Sequence, residues 1–166
     1  MDSKNKTKVS KDLKNKKIFI TRKFDAPLAN VWSAWTDSDL LDHWWAPKPY
    51  VTKTKSMDFR VGGRWLYAMI GPDGIPMWGK IDYTSIVIQK NFEAIDSFCD
   101  EEGVVNTEFP RTVWKCEFVP SDSGTTVEIE TTYETEAALL KIVEMGFEQG
   151  FAMAHDNLDE YLKSLI

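Results

Sequence analysis

The sequence predicts an α+β domain: a curved antiparallel sheet of about seven strands around a long C-terminal helix, with two short helices after strand one. Three observations predict it. Residues 50–133 read as strands and turns, with no helical periodicity to interrupt them. Residues 136–166 instead carry one apolar stripe at steps of three and four. Ahead of both, one strand is followed by two short helix signals.

Lys17–Phe24 (Lys-Ile-Phe-Ile-Thr-Arg-Lys-Phe) is β-branched and aromatic, as a first strand should be. Asp25 before Ala26-Pro27 reads as a helix start, because a short side-chain oxygen can cap the free N–H groups of a first turn that tolerates proline. Val31, Trp32 and Trp35 then recur at helical spacing. Thr36-Asp37-Ser38-Asp39 supplies a second cap, opening a helix through Leu40, Leu41, Trp44 and Trp45 that Pro47 and Pro49 stop. Strands are expected at Tyr50–Val61, Arg64–Ile70, Met77–Ile88, Phe92–Cys99, Thr112–Val119 and Thr125–Tyr133. Gly62-Gly63, Gly71-Pro72-Asp73-Gly74 and Ser121-Asp122-Ser123-Gly124 supply turns between them.

Thr135 caps the long helix. Its stripe is Leu140, Val143, Phe147, Phe151, Ala154, Leu158, Leu162 and Leu165, and Lys141, Glu144, Glu148, Asp159, Glu160 and Lys163 fall on the solvent side. Gly146 and Gly150 each cost a helix about 1 kcal/mol relative to alanine, so each needs a reason: close approach to the sheet, or room for something bound. Only this helix is long enough to cover the sheet. The result is a helix-grip arrangement, which leaves an apolar cavity where the grip stays open.

Composition narrows the function. The chain has 166 residues, enough for one domain with a real core, and 13% of them are aromatic, seven being Trp. Residues 1–16 read as a disordered lysine-rich tail and 17–166 as the domain. The net charge is −6 although the tail is basic, so the folded part is strongly acidic and a poor partner for nucleic acid. No apolar run is long enough for membrane insertion, and the N-terminus is no secretory signal. Cys99 and Cys116 fit no metal or redox spacing and read as free thiols of the cytoplasm. His43 and His155 lie on different elements, Val-Gly-Gly-Arg is no phosphate loop, and no Ser or Cys nucleophile has a base beside it. Neither a metal nor another cofactor is therefore expected, and no catalytic residue is assigned.

Four segments carry a resemblance. They are Phe24-Asp25-Ala26-Pro27 with Val31-Trp32-Ser33-Ala34-Trp35-Thr36; Leu40-Leu41-Asp42-His43-Trp44-Trp45-Ala46-Pro47; Asp58-Phe59-Arg60-Val61-Gly62-Gly63-Arg64-Trp65 with Pro72-Asp73-Gly74 and Gly79-Lys80-Ile81; and Gly150-Phe151 through Leu158-Asp159-Glu160-Tyr161-Leu162. On these residues the chain resembles the START-like (SRPBCC, Bet v 1-like) superfamily, and within it the branch of activator-of-heat-shock-ATPase homologues. The resemblance implies the helix-grip fold. It leaves function open, because that fold hosts ligand binders, lipid carriers, cyclases, resistance proteins and chaperone activators. Two positions depart from the pattern: Phe151 stands where the family more often has Trp, and His155 where it usually has an apolar residue.

The candidate ligand-binding residues are His155, Phe151 and Phe147 on the helix, Trp65, Tyr67, Trp78, Phe98 and Trp114 on strands, Arg60 beside the glycine turn, and Trp44 of the entry helices. His155 falls on the sheet-facing side, either to orient a ligand or move its proton, or to be satisfied by a strand side chain. Arg60 either meets an anionic ligand or pairs with Asp58. Three functions follow. The first is binding of a small hydrophobic or aromatic molecule between helix and sheet. The second is a chaperone-associated interaction module with Trp44 and Trp45 on its surface. The third is a cyclase, hydrolase or isomerase using His155 as its acid–base group. Partners are accordingly a small hydrophobic molecule or a chaperone, with the protein itself a monomer or homodimer.

Overall fold

Alternation of apolar and polar residues builds one antiparallel sheet of eight strands. A computed structural model of the chain describes residues 5–165. The strands are β1 (Lys8–Asp12), β2 (Lys17–Phe24), β3 (Val51–Met57), β4 (Arg64–Ile70), β5 (Pro76–Val87), β6 (Asn91–Phe98), β7 (Thr112–Ser121) and β8 (Gly124–Thr132). Their spatial order is β1-β2-β8-β7-β6-β5-β4-β3. The helices are α1 (Leu28–Thr36), α2 (Ser38–Trp44), α3 (Glu136–Glu144) and α4 (Phe147–Ser164). Period-two alternation puts Trp114, Cys116 and Phe118 of β7 and Val127 and Ile129 of β8 in the core, where the helices cover them.

The entry helices follow the expected order. Asp37 caps α2 by accepting from the Asp39 N–H at 3.0 Å. Asp25 does not cap α1: Pro27 holds the cap position with no side-chain bond, and its carbonyl accepts from the Asn30 and Val31 N–H groups. Trp44 donates its indole N–H to the Ala34 carbonyl at 2.9 Å, locking α2 on α1. Asn157 of α4 donates to the Ala46 carbonyl at 3.0 Å, which fixes the loop carrying Trp45 and Pro47.

Two readings of the chain are corrected. The expected disordered tail over residues 1–16 includes β1, which pairs with β2 from Lys8↔Thr21 to Asp12↔Lys17. Residues 1–4 of that tail and Ile166 lie outside the described residues. A strand of five residues with three charged side chains reads as solvated tail by composition, yet short lysine-bearing strands suit a sheet edge. Asp12 completes the hairpin by accepting from the Asn15 backbone and side-chain amides, which lowers its pKa.

The long C-terminal helix is present as α4, but the expected single helix from residue 136 is divided in two. Gly146 adopts φ +88°, a left-handed conformation that ends α3 and starts α4. The break shifts the phase of the apolar stripe. Leu139 and Ile142 are buried in α3, whereas Leu140 is exposed. In α4 the stripe holds through Phe151, Ala154, Leu158 and Leu162, but Leu165 is exposed. Asp159, expected on the solvent side, is buried beside Arg22 and Lys163.

Candidate functional site

The grip stays open at one end. A cavity of about 220 Å³ lies between the first turns of α4 and strands β4–β7. Its wall is aromatic: Trp45, Tyr67, Trp78, Phe98, Trp114, Phe147 and Phe151, with Met69 and Met77 beside them. Met77 is half exposed and marks the mouth. Gly150 and Pro47 complete the helical side. A β-carbon added at Gly150 would meet only Pro47 Cγ, at 3.8 Å, so close packing does not explain that glycine. It leaves space beside the cavity.

Six of the ten sequence-predicted site residues meet in this wall: Phe147, Phe151, Tyr67, Trp78, Phe98 and Trp114. Four do not. Trp44 is wholly buried in the core through its bond to Ala34. Trp65 lies behind the wall, stacked on Tyr67 at 4.1 Å. Arg60 is exposed and donates to Asp58 at 2.6 Å, away from the cavity. His155 is wholly buried one turn beyond Phe151, its ring 4.3 Å from the phenyl ring, and does not line the cavity.

His155 belongs to a separate polar cluster under β1. Its Nδ1 shares a hydrogen bond with Thr7 Oγ1 at 3.0 Å, and that hydroxyl accepts from Arg22 at 3.2 Å. Arg22, 1% exposed, also donates to Asp156 at 2.7 Å and lies 3.8 Å from Asp159. Burial, helped by the Arg22 charge, pushes the His155 pKa down to about 3, so the ring stays neutral. A neutral, enclosed ring away from the cavity is no acid–base group for a cavity-bound molecule. The same cluster ties the start of the chain to α4, reinforced by the Lys11–Glu148 ion pair.

The polar chemistry of the cavity lies on β6. Asp96, partly buried, lines it with Tyr67 and Trp114. Burial pushes its carboxyl up to about 7, against the opposing pull of the Trp114 indole N–H. The Asp96 charge also raises Tyr67 and Tyr133, Tyr133 to about 12, although burial acts more strongly on both. Ser97 Oγ and the indole nitrogens of Trp45 and Trp114 are buried without a well-formed hydrogen bond among the described residues. Among those residues no cluster of three or more His, Cys, Asp or Glu is arranged to hold a metal.

Sequence reasoning missed Asp96, yet a signal was present. Phe92, Ala94, Asp96 and Phe98 alternate along β6, so a carboxyl stands at an inward position of an apolar face. Arg22 interrupts the inward series Ile18, Ile20, Phe24 in the same way.

The model of the family described as activator of Hsp90 ATPase homolog 1-like protein matches residues 25–163. The chain belongs to this family. The activator-of-Hsp90-ATPase-homologue match spans both entry helices, the cavity strands and nearly all of α4. Among solved structures, a protein from Arthrobacter aurescens is similar at 32% identity and TM-score 0.89, over 95% of this chain and 91% of that one. Protein Ms6760 from Mycobacterium smegmatis is similar at 31% identity and TM-score 0.87, over 95% and 96%. A Staphylococcus epidermidis protein follows at 25% identity and TM-score 0.83, over 95% and 94%. No protein with a curated description matches. Membership brings a START-type ligand-binding scaffold, and no helix among the described residues is long and apolar enough to cross a membrane.

Proposed function

We propose that this protein binds one small, largely apolar molecule in the cavity between α4 and strands β4–β7. The observation that carries this reading is a pocket of about 220 Å³ walled by seven aromatic side chains, with Gly150 leaving the helical side open. Size sets the ligand class. A dry cavity of about 150 Å³ takes benzene, and drug-sized sites start at about 300 Å³. One or two rings fit between those limits. The free thiols Cys99 and Cys116 agree with a cytoplasmic setting.

The chaperone reading suggested by the family's description rested on Trp44 and Trp45 as a surface patch. They are 0% and 7% exposed, so that patch does not support it. An acid–base role for His155 has no support either, since its ring is outside the cavity.

The test is occupancy. Native mass spectrometry of freshly purified protein, with tryptophan fluorescence titration against small aromatics, should show a ligand on the native chain. Gly150→Phe should abolish it by filling the space, and Gly150→Ala should retain it. Equal ligand binding by native protein and Gly150→Phe would overturn the proposal.

A further inference from the structure

Asp96 carries more information than the volume of the cavity. The lining residues include no Lys, Arg or His. Among the described residues Asp96 takes part in no ion pair, although nine ion pairs occur elsewhere. The Lys55 ammonium reaches the Trp78 ring, 5.9 Å from its centroid, but does not line the cavity. One carboxyl without a counter-ion therefore stands inside an aromatic wall. Ring faces are the negative ends of aromatic quadrupoles, and they attract cations most where water is excluded. Wall and carboxyl thus favour the same sign of charge, and an anionic head group would be desolvated against a carboxylate.

We infer that the cavity selects a small arylalkyl ammonium, its ring held among Trp45, Trp114 and Phe151 and its charged nitrogen paired with the Asp96 carboxylate. This rests on the ligand-pocket reading above and deepens it. It sets the site apart from one for fatty acids or other carboxylates. The groups facing Asp96 agree with that role. Tyr67 from β4, Cys99 after β6 and Tyr133 after β8 all have raised pKa values and stay neutral near pH 7, and α4 contributes only Phe147, Gly150 and Phe151. Asp96 is therefore the one lining group whose charge changes near neutrality, its carboxyl being pushed up to about 7.

Three probes sharing one ring separate the outcomes: 2-phenylethylammonium, 2-phenylethanol and phenylacetate, titrated calorimetrically into the full chain. At about pH 8, with Asp96 ionised, the ammonium should bind about tenfold tighter than the alcohol, and phenylacetate weakest. Asp96→Asn should weaken the ammonium about tenfold and leave the alcohol within about twofold. Should Asp96→Asn fail to fold, the native protein at about pH 6 decides: the probe amine stays charged, Asp96 is protonated, and the preference for the ammonium should vanish. Alcohol binding as tight as ammonium binding at pH 8, or an ammonium affinity unmoved by both Asp96→Asn and acid, overturns the inference and leaves the pocket reading standing. Failure of all three probes to bind overturns both.

Discussion

Asp96 and His155 act on stability in opposite directions across mildly acidic pH, and the effect of each is exposed by removing the other. Asp96 has its carboxyl raised from 3.8 to about 7 by burial. The fold therefore binds a proton there that the unfolded chain releases, and stability falls as pH rises from about 4 to 7. His155 is the reverse: burial and Arg22 lower it from 6.5 to about 3. The unfolded chain binds that proton first, so stability falls as pH drops below about 6.5. Each slope approaches 1.4 kcal/mol per pH unit where the folded and unfolded states differ by one proton. Between about pH 4.5 and 6 the two nearly cancel. Asp96→Asn should therefore lose about 2 kcal/mol on going from pH 6 to 4.5, and His155→Asn should gain about 2 kcal/mol over the same interval. Different neighbours act on the two groups, Trp114 on Asp96 and Arg22 on His155, so their effects should add. Urea unfolding at a series of pH values, extrapolated to water, measures both profiles. Parallel profiles for the two variants would refute the reasoning.

Two further outcomes are expected. Thr7→Val keeps the side-chain shape but removes the hydroxyl shared by Arg22 and His155, and should cost about 1–3 kcal/mol in urea unfolding. An unchanged midpoint would mean that the shared Thr7 hydroxyl adds nothing to the fold. Gly146 before α4 and Gly150 within it should respond with opposite signs in thermal unfolding. Gly146→Ala loses about 1–2 kcal/mol, because its φ is +88°. Gly150→Ala gains about 1 kcal/mol, because its backbone is helical and its β-carbon has room.

Periodicity made most of the fold legible. The aromatic and β-branched runs gave strands β2 and β4–β8 within a few residues, and the Asp37 cap marked α2. The misses share a cause. β1 is held by pairing with β2 and by Thr7 and Lys11 reaching α4, and contacts so distant in sequence leave no local pattern. The break at Gly146 was ambiguous, since a glycine in an apolar stripe fits either an interrupted helix or a vacancy. Gly146 is the interruption and Gly150 the vacancy. For the site, one-turn errors mattered most. Trp44 and Trp45 are adjacent, but a helix turns about 100° between neighbours, so one enters the core and the other the cavity. His155 sits one turn past Phe151, where α4 has already passed beyond the cavity.

The tryptophans explain why the cavity persists although its walls are apolar. Entry-helix and sheet tryptophans touch: Trp45 lies 5.2 Å from Trp65 and 6.0 Å from Trp114. Trp45 is held from behind by Trp35 at 5.9 Å, Trp44 at 5.4 Å and Trp65, and by the Asn157 bond to the adjoining Ala46 carbonyl. It cannot swing into the space without breaking several edge-to-face contacts, each worth about 0.5–1.5 kcal/mol. Phe151 is fixed in the same way, between Trp114 at 5.5 Å and the stacked Phe147 at 5.5 Å. Met69 and Met77, on the same strands as Tyr67 and Trp78, are unbranched side chains that repack at low cost, and the half-exposed Met77 is an adaptable lip on this aromatic frame. The frame is what would hold the ring of the proposed ligand beside Asp96.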